Sequence, residues 1–202
     1  MDIPPMDPTK RLQMDRLVAE ARGFGLRLAE INATKPWGGY LRFTRDSLGS
    51  FLYAYWLDMA VKLPGGEVSV DPKVLLVAPG ASLSLQWHQR RDEFWRVLDG
   101  PVRVVWGQSW DHLQVQEYQA GQGIFIPRRQ WHRLIGLQGW ARVAEIWQHA
   151  DPQHPSEEQD VLRVQDDYRP ADVEADSTPV DQRDGRWTAL YAQICQQAGL
   201  SV

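Results

Sequence analysis

The stretch Leu83–Trp95, LSLQWHQRRDEFW, places polar side chains at alternate positions of an apolar run. Ser84, Gln86 and His88 alternate with leucines and a tryptophan, and Glu93 follows His88 by five residues. Side chains at positions i and i+2 of a β-strand point to the same face of the sheet. The stretch therefore predicts a strand that directs an amide and an imidazole to one side, then a turn and a second strand that brings in a carboxylate.

Short strand-like runs continue on both sides of this stretch. Between Tyr40 and Trp147, runs rich in valine, leucine, tyrosine and tryptophan are separated by glycine, proline and aspartate. The runs read FLYAYWLDMAV, KVLLVA, SLSLQWH, FWRVLDG, VRVVWG, GIFIP, HRLIGL and ARVAEIWQ. Many short strands at regular spacing, without helical patterns between them, predict an antiparallel sandwich or barrel.

Helical segments are expected before and after the β-rich region. Apolar residues from Thr9 to about Ile31 fit a helical stripe with Thr9 as N-cap, and Gly23-Phe24-Gly25 is expected to break or end it. The segment DGRWTALYAQICQQAGL near the C-terminus also has helical spacing and ends at a glycine. We therefore divide the chain into an N-terminal arm and helix (1–34), a barrel (35–150) and a C-terminal strap and helix (151–202).

Composition narrows the class of protein. The 202 residues are 43% hydrophobic, which is enough for one substantial core, and a net charge of −4 without long charged runs predicts no nucleic-acid partner. No apolar segment approaches the roughly 18 residues that span a bilayer, so we expect no membrane partner. The N-terminus has no signal-peptide pattern, and the single cysteine, Cys195, suits a reducing compartment. We expect a cytoplasmic protein.

Four side chains are predicted to form a metal site. A third strand, entered through Pro127, delivers His132 to join Gln86, His88 and Glu93. One amide oxygen, two imidazoles and one carboxylate suit a single divalent cation, with zinc as first candidate and manganese, nickel, cobalt or iron as alternatives. Two simpler interpretations stay open: the Gln86 amide binds a water or a substrate hydroxyl, and Glu93 pairs with one of the two preceding arginines.

The spacing of these residues resembles two known motifs. Gly80-x5-Gln86-x-His88-x4-Glu93-x6-Gly100 is similar to the first cupin motif, and Gly121-x5-Pro127-x4-His132 is similar to the second. Glutamine at the first ligand position, together with KPWGGY at 35–40, AEIWQ at 144–148 and DVLRVQDDY at 160–168, resembles the type II mannose-6-phosphate isomerase cupin domain. Stand-alone members of that group labelled phosphoheptose isomerases look more similar still. The resemblance covers about residues 33–170.

This resemblance implies both a fold and a reaction. The fold is an all-β cupin double-stranded β-helix, or jelly-roll barrel, with helical additions at both ends. The reaction is metal-dependent interconversion of an aldose phosphate and its ketose through an enediolate, with the metal as Lewis acid. The proton transfer needs a base, for which we consider Glu145 first and Lys35 second. Arg91 lies in the matched motif and is also expected to be a catalytic residue. Residues expected to bind the sugar or its phosphate are Trp37, Arg90, Arg133 and Arg163.

Several alternatives remain open at this level. Gln89, Asp92, Arg128 and Arg129 depart from the pattern of the type II enzymes and alter the rim of the site. A non-catalytic sugar-binding cupin, or an isomerase of an unphosphorylated sugar such as lyxose or mannose, would fit these changes. A metal-dependent dioxygenase is disfavoured by glutamine in place of the first histidine. By analogy with cupins, which commonly pair through sheet edges, we expect a homodimer.

Overall fold

The computed structural model describes residues 7–56, 70–109, 112–165 and 167–168. In chain order its elements are α1 (Pro8–Gly23), β1 (Leu28–Asn32), β2 (Gly38–Phe43), a 3-10 helix (Arg45–Ser47), α2 (Leu48–Trp56), β3 (Val70–Val77), β4 (Leu85–Trp87), β5 (Arg91–Asp99), β6 (Val102–Gly107), β7 (Leu113–Tyr118), β8 (Gly123–Ile126), β9 (Trp131–Gly136), β10 (Ala141–His149) and β11 (Leu162–Gln165). No helix among these residues combines the length and the apolar character needed to cross a membrane.

The strands form two antiparallel sheets. The first sheet has six strands in the order β1-β2-β3-β10-β5-β8, and the second has five in the order β11-β4-β9-β6-β7. Side chains of both sheets share one buried apolar cluster, which includes Val97, Val104, Leu134 and Val143. The predicted all-β barrel is therefore confirmed.

The central strands of the first sheet, β2, β3 and β10, are buried on both faces. Along β10, Val143 belongs to the interior cluster, whereas Ala144 and Ile146 pack with the helices on the outside. Because neighbouring residues of a strand face opposite sides, a sheet covered on both sides needs nearly continuous apolar strands. The run VLLV at the end of β3 meets this requirement, since all four residues are buried.

The N-terminal helix is shorter than its apolar stripe suggested. It begins at Pro8 and its N-cap is Asp7, not Thr9, because the Asp7 carboxylate accepts a hydrogen bond from the backbone N–H of Lys10. It ends at Gly23, as the glycines indicated, and Gly25 has a φ of 71° in the left-handed region. The following residues, predicted to be helical up to about Ile31, instead form β1 and pair with β2. The barrel sheet therefore extends into the segment 1–34.

The prediction of a strand at FLYAYWLDMAV was wrong over the residues that the structure describes. Residues up to Trp56 belong to α2, and the rest of the run lies outside the described residues. Leu48, Phe51 and Tyr55 are buried at spacings of three and four, which is the period of a helix face. Phe51 lies 5.5 Å from the Phe43 ring and 5.1 Å from the Tyr55 ring, centroid to centroid. Aromatic packing onto the sheet thus favours a helix despite β-type composition.

The chain returns to the barrel after β10. Residues up to Asp160 lead into β11, which pairs with β4 at the edge of the second sheet. This part of the predicted strap is ordered against the strand that carries Gln86. The helix predicted within residues 184–200 lies outside the described residues.

We predict that Phe51→Ala will lower the free energy of unfolding by about 3–5 kcal/mol, because it leaves a cavity between α2 and the sheet. The matched control is Tyr53→Ala on the same helix, where the ring is 65% exposed and the loss should stay within about 0.5 kcal/mol. Urea denaturation of both variants measures the difference. Equal losses would contradict the helix, because residues 51 and 53 would share a face only in a strand.

Candidate metal centre

Three of the four predicted ligands meet inside the barrel. His88, Glu93 and His132 each offer a ligand atom within 4.8 Å of the other two, and all three are buried. Glu93 comes from β5 of the first sheet, His132 from β9 of the second, and His88 immediately follows β4. The cluster therefore joins the two sheets at one end of the cavity between them.

Hydrogen bonds fix the tautomers of both histidines. The His88 Nδ1 lies 2.6 Å from the carbonyl oxygen of Asp160, and the His132 Nδ1 lies 2.9 Å from the carbonyl oxygen of Gln130. A carbonyl oxygen can only accept, so each Nδ1 carries the proton. Each Nε2 then presents a lone pair to the cluster, as in a metal-bound histidine held by a second hydrogen bond.

Two electron-rich atoms in this cluster are buried without a hydrogen-bond partner in the described part of the chain. They are His132 Nε2 and Glu93 Oε2, which lie 3.4 Å apart. Burial lowers the pKa of His132 to about 4, so near neutral pH this imidazole is not protonated and cannot donate to the carboxylate. Two facing acceptors are unfavourable unless a cation lies between them. The donor set therefore fits a divalent metal ion.

Glu93 is ionised in spite of its burial. Burial alone would raise the pKa of Glu93, but the charge of Arg91 holds it well below its usual range. The Arg91 Nε donates to Glu93 Oε1 at 2.8 Å, and Arg91 Nη2 lies 3.0 Å from His88 Nε2. The guanidinium also stacks on the Trp147 ring at 3.6 Å. Arg91 thus supports Glu93, whereas its Nη2 occupies the same His88 Nε2 lone pair that a metal ion would use.

The fourth predicted ligand, Gln86, lines the same cavity. Its Cα pairs with that of His132 across the sheet, and its Nε2 lies 3.4 Å from His88 Nε2. Its Oε1 accepts a hydrogen bond from the Ser84 hydroxyl. Half a turn of the amide would bring the oxygen beside His88 and let the nitrogen donate to Ser84, because a hydroxyl also accepts. Gln86 is therefore placed to complete the site with an oxygen ligand.

The cavity has a volume of about 260 Å³, close to the lower end for small-molecule sites. Glu145 lies on its wall, where Trp95 Nε1 donates to Oε1 at 2.9 Å and Lys73 Nζ lies 3.7 Å from Oε2. Burial and the charge of Glu93 raise the pKa of Glu145 to about 7, against the opposing effects of Lys73 and Arg91. A carboxylate with this pKa can exchange a proton near neutrality.

Three more predicted residues lie at the cavity, and two do not. Lys35, Trp37 and Arg163 line it. Arg90 was predicted to bind substrate, but its side chain is 42% exposed and lies beside Asp160, with 3.9 Å between Nε and Oδ1. Arg133 was predicted to do the same, but it is buried on the opposite face of the second sheet and contacts Ser82 and Asp167. Since His132 faces the cavity, strand alternation turns Arg133 away from it.

Sequence reasoning missed a buried lysine. Lys73 lies between aromatic rings, with Nζ 3.7 Å from the Trp147 ring centroid and 4.5 Å from that of Tyr40. It also donates to Glu158 at 2.9 Å. The available signal was a lysine inside the apolar strand run KVLLVA, at a position that shares a face with Leu75.

The fold resembles that of a known class of barrel. A two-sheet antiparallel barrel with histidines and a glutamate in its cavity has the architecture of a cupin. Oxalate decarboxylase from Bacillus subtilis superposes with a TM-score of 0.53 and 14% identity, over 87% of this chain and 36% of that chain. Oxalate oxidase in complex with the substrate analogue glycolate has a TM-score of 0.46 and 21% identity, over 67% of this chain and 67% of that chain. A Bacillus halodurans protein has a TM-score of 0.39 and 26% identity, over 43% of this chain and 66% of that chain.

The sequence assigns the family more narrowly. Residues 53–166 match the family described as Mannose-6-phosphate isomerase C-terminal, and the chain belongs to that family. A comparison with curated proteins gave no match. The chain spans less than two thirds of the oxalate decarboxylase and of the Bacillus halodurans protein. The oxalate decarboxylase superposition therefore supports the cupin fold, and the family match identifies a domain related to sugar isomerases.

We predict that zinc will raise the free energy of unfolding by about 2.7 kcal/mol when the free zinc concentration is 100 times the dissociation constant of the site. His132→Ala should abolish this increase, because it removes one of the two facing acceptors. His154→Ala is the control, since this histidine is exposed. Urea denaturation with and without zinc, together with metal analysis of the dialysed protein, measures the effect. A zinc-dependent shift that survives in His132→Ala would contradict the assigned ligand.

Proposed function

We propose that the protein is a metal-dependent aldose–ketose isomerase that acts on a sugar phosphate. The observation that carries the proposal is the position of Glu145, whose carboxyl has a pKa of about 7 and lines the same cavity as the ligand cluster. Isomerisation requires a base that takes a proton from the carbon next to a carbonyl and returns it to the neighbouring carbon. The family match supports the same class of reaction.

Glu145 performs this proton transfer in the proposal. The indole N–H of Trp95 holds Oε1, so Oε2 is the oxygen that receives the proton. Lys73 lies beside Oε2 and favours the ionised carboxylate that the first step needs. Lys35, the second base considered from the sequence, is only partly buried and has its Nζ 5.9 Å from the Tyr40 ring centroid. Its position at the rim suits substrate binding better than proton transfer.

His88, Glu93, His132 and Gln86 would hold the divalent cation, with zinc as first candidate. Such an ion supplies Lewis-acid stabilisation of the negative charge that develops on the substrate oxygens as the enediolate forms. Arg91 has a supporting role in the proposal, because all its nitrogens are engaged. Nε donates to Glu93, Nη1 donates to the Ser156 hydroxyl and the Glu157 carbonyl, and Nη2 donates to His88. Arg91 keeps the Glu93 carboxylate in place and takes no proton, and the cation would replace its bond to His88 Nε2.

The substrate phosphate would bind at the rim, where Lys35 and the exposed Arg163 line the cavity. The Lys35 ammonium makes no ion pair with any described residue, so it is available to an anion. Trp37 provides an indole surface for the apolar face of the sugar. The predicted homodimer and cytoplasmic location stay predictions.

One observation favours an unphosphorylated sugar as a second candidate. Arg90 and Arg133 lie away from the cavity, and the two inner cations, Lys73 and Arg91, are already paired with carboxylates. Phosphate recognition would therefore depend on the rim residues. A panel that contains both kinds of sugar separates the two candidates.

We predict that the zinc-loaded protein will exchange the C1 or C2 proton of its substrate in deuterated water, as followed by NMR. The panel is mannose 6-phosphate, fructose 6-phosphate, sedoheptulose 7-phosphate, and unphosphorylated mannose and lyxose. Glu145→Gln should slow exchange by about 10²–10⁴-fold, because it removes the base. Glu117→Gln on β7, outside the cavity, is the control. A parent that binds a sugar but exchanges none of its protons would instead support a non-catalytic sugar-binding cupin.

The pH dependence of exchange tests the same base. The reaction needs ionised Glu145, so the rate should rise with pH up to a plateau, with a midpoint near or below 7, since a bound cation also favours the carboxylate. Lys73→Met should move the midpoint to higher pH, because it removes a charge that lowers the pKa of Glu145. Lys35→Met, at the rim, should leave the midpoint unchanged. A midpoint that Lys73→Met does not move would argue against Glu145 as the titrating base.

A further inference from the structure

A short segment before β11 contacts the link between two ligand-bearing strands. We name this segment, residues 156–160, the clasp. It bonds to each of the four residues from His88 to Arg91, which lead from the end of β4 into β5. Every one of these bonds spans at least 65 residues of sequence. The clasp therefore fixes the position of this link from a remote part of the chain.

Asp160 makes most of these bonds. Its backbone carbonyl accepts from His88 Nδ1, and its carboxylate accepts from the backbone N–H groups of Gln89 at 3.2 Å and Arg90 at 3.0 Å. The carboxylate also accepts from the Ser156 hydroxyl at 2.6 Å, and the side chain is only 6% exposed. Burial would raise the pKa of Asp160, but the hydrogen bonds from Ser156 and the two N–H groups hold it below its ordinary value. The acceptor is thus an ionised carboxylate with several donors.

The two histidines of the cluster are held in different ways. His132 lies within β9, between β4 and β6, and bonds to Gln130 two residues away. His88 lies beyond the end of β4, which is only three residues long, so the sheet ladder does not orient it. Its backbone carbonyl accepts from Arg129 N–H, but its ring is oriented by the Asp160 carbonyl. The direction of the His88 Nε2 lone pair therefore depends on the clasp.

From this arrangement we infer that Asp160 is a positioning residue for the metal centre. Its carboxylate holds the link, and this keeps its own carbonyl on His88 Nδ1 and aims Nε2 at Glu93 and His132. Ser156 extends the effect, because its hydroxyl donates to Asp160 and accepts from Nη1 of Arg91, whose Nε donates to Glu93. The inference rests on the proposed metal site but not on the identity of the sugar.

The test is zinc affinity, measured without sugar by competition with a chromophoric chelator. Asp160→Ala should weaken zinc binding by about 10–100-fold, the usual loss when a group that orients a metal ligand is removed. Asp160→Asn keeps one acceptor oxygen and should recover part of the affinity. Gln159→Ala is the matched control, because that neighbouring side chain is exposed and its change should leave the affinity at the parent value.

A second readout separates positioning from general stability. With saturating cobalt, the visible absorption spectrum reports ligand geometry, and we expect it to change in Asp160→Ala but not in Gln159→Ala. If Asp160→Ala does not fold, Asp160→Asn and Ser156→Ala carry the same comparison. Parent-like zinc affinity and cobalt spectra in these clasp variants would overturn the inference and leave the metal site intact. If the parent protein binds neither zinc nor cobalt, both this inference and the proposed metal-dependent isomerase are wrong. If the clasp variants bind metal more weakly but the parent protein exchanges no sugar proton, only the proposed isomerase is wrong.

Discussion

The constraint on which the site depends is the burial of the Glu93 carboxylate. A buried charge is costly unless it is paired and hydrogen-bonded, and Glu93 is 1% exposed. Arg91 satisfies one oxygen, but the other faces the unprotonated Nε2 of His132. The barrel therefore folds around an incomplete polar cluster in which one acceptor pair still needs a cation. A purely structural ion pair would not require a second imidazole with its lone pair directed at the carboxylate.

The two sheets contribute different chemistry to the cavity. The helix-backed first sheet carries Glu93, Glu145 and Lys73 on adjacent strands, where Glu145 pairs across the ladders with Lys73 and Trp95. The second sheet and its extension carry Gln86, His132 and His88. Because β10, which carries Glu145, is packed on both faces, the proposed base has a rigid support. On the other side, the position of His88 depends on hydrogen bonds to the clasp, which lies at least 65 residues away in the sequence.

The sequence predicted the cluster well because β-strand geometry links spacing to direction. Residues two apart share a face, so Gln86 and His88 could be assigned to one cavity, and a short turn was enough to bring Glu93 opposite them. The same rule, applied to β9, would have turned Arg133 away from the site. The helix α2 was missed because its aromatic residues are typical of strands, and only the spacing of its buried positions distinguishes it. The motif at 160–168 includes Asp160, but its contact with His88 could not be predicted from local sequence, because it spans 72 residues.

The charges around the cavity explain how the base and the cation sites can depend on each other. Glu93 is matched by Arg91 and Glu158 by Lys73, so the inner cavity is balanced only when Glu145 is neutral. The raised pKa of Glu145 is consistent with this balance. A divalent cation at the cluster adds positive charge nearby, which favours the ionised form of Glu145. In the proposed reaction, loading the metal site would increase the ionised fraction of Glu145, which is the form that can accept the substrate proton.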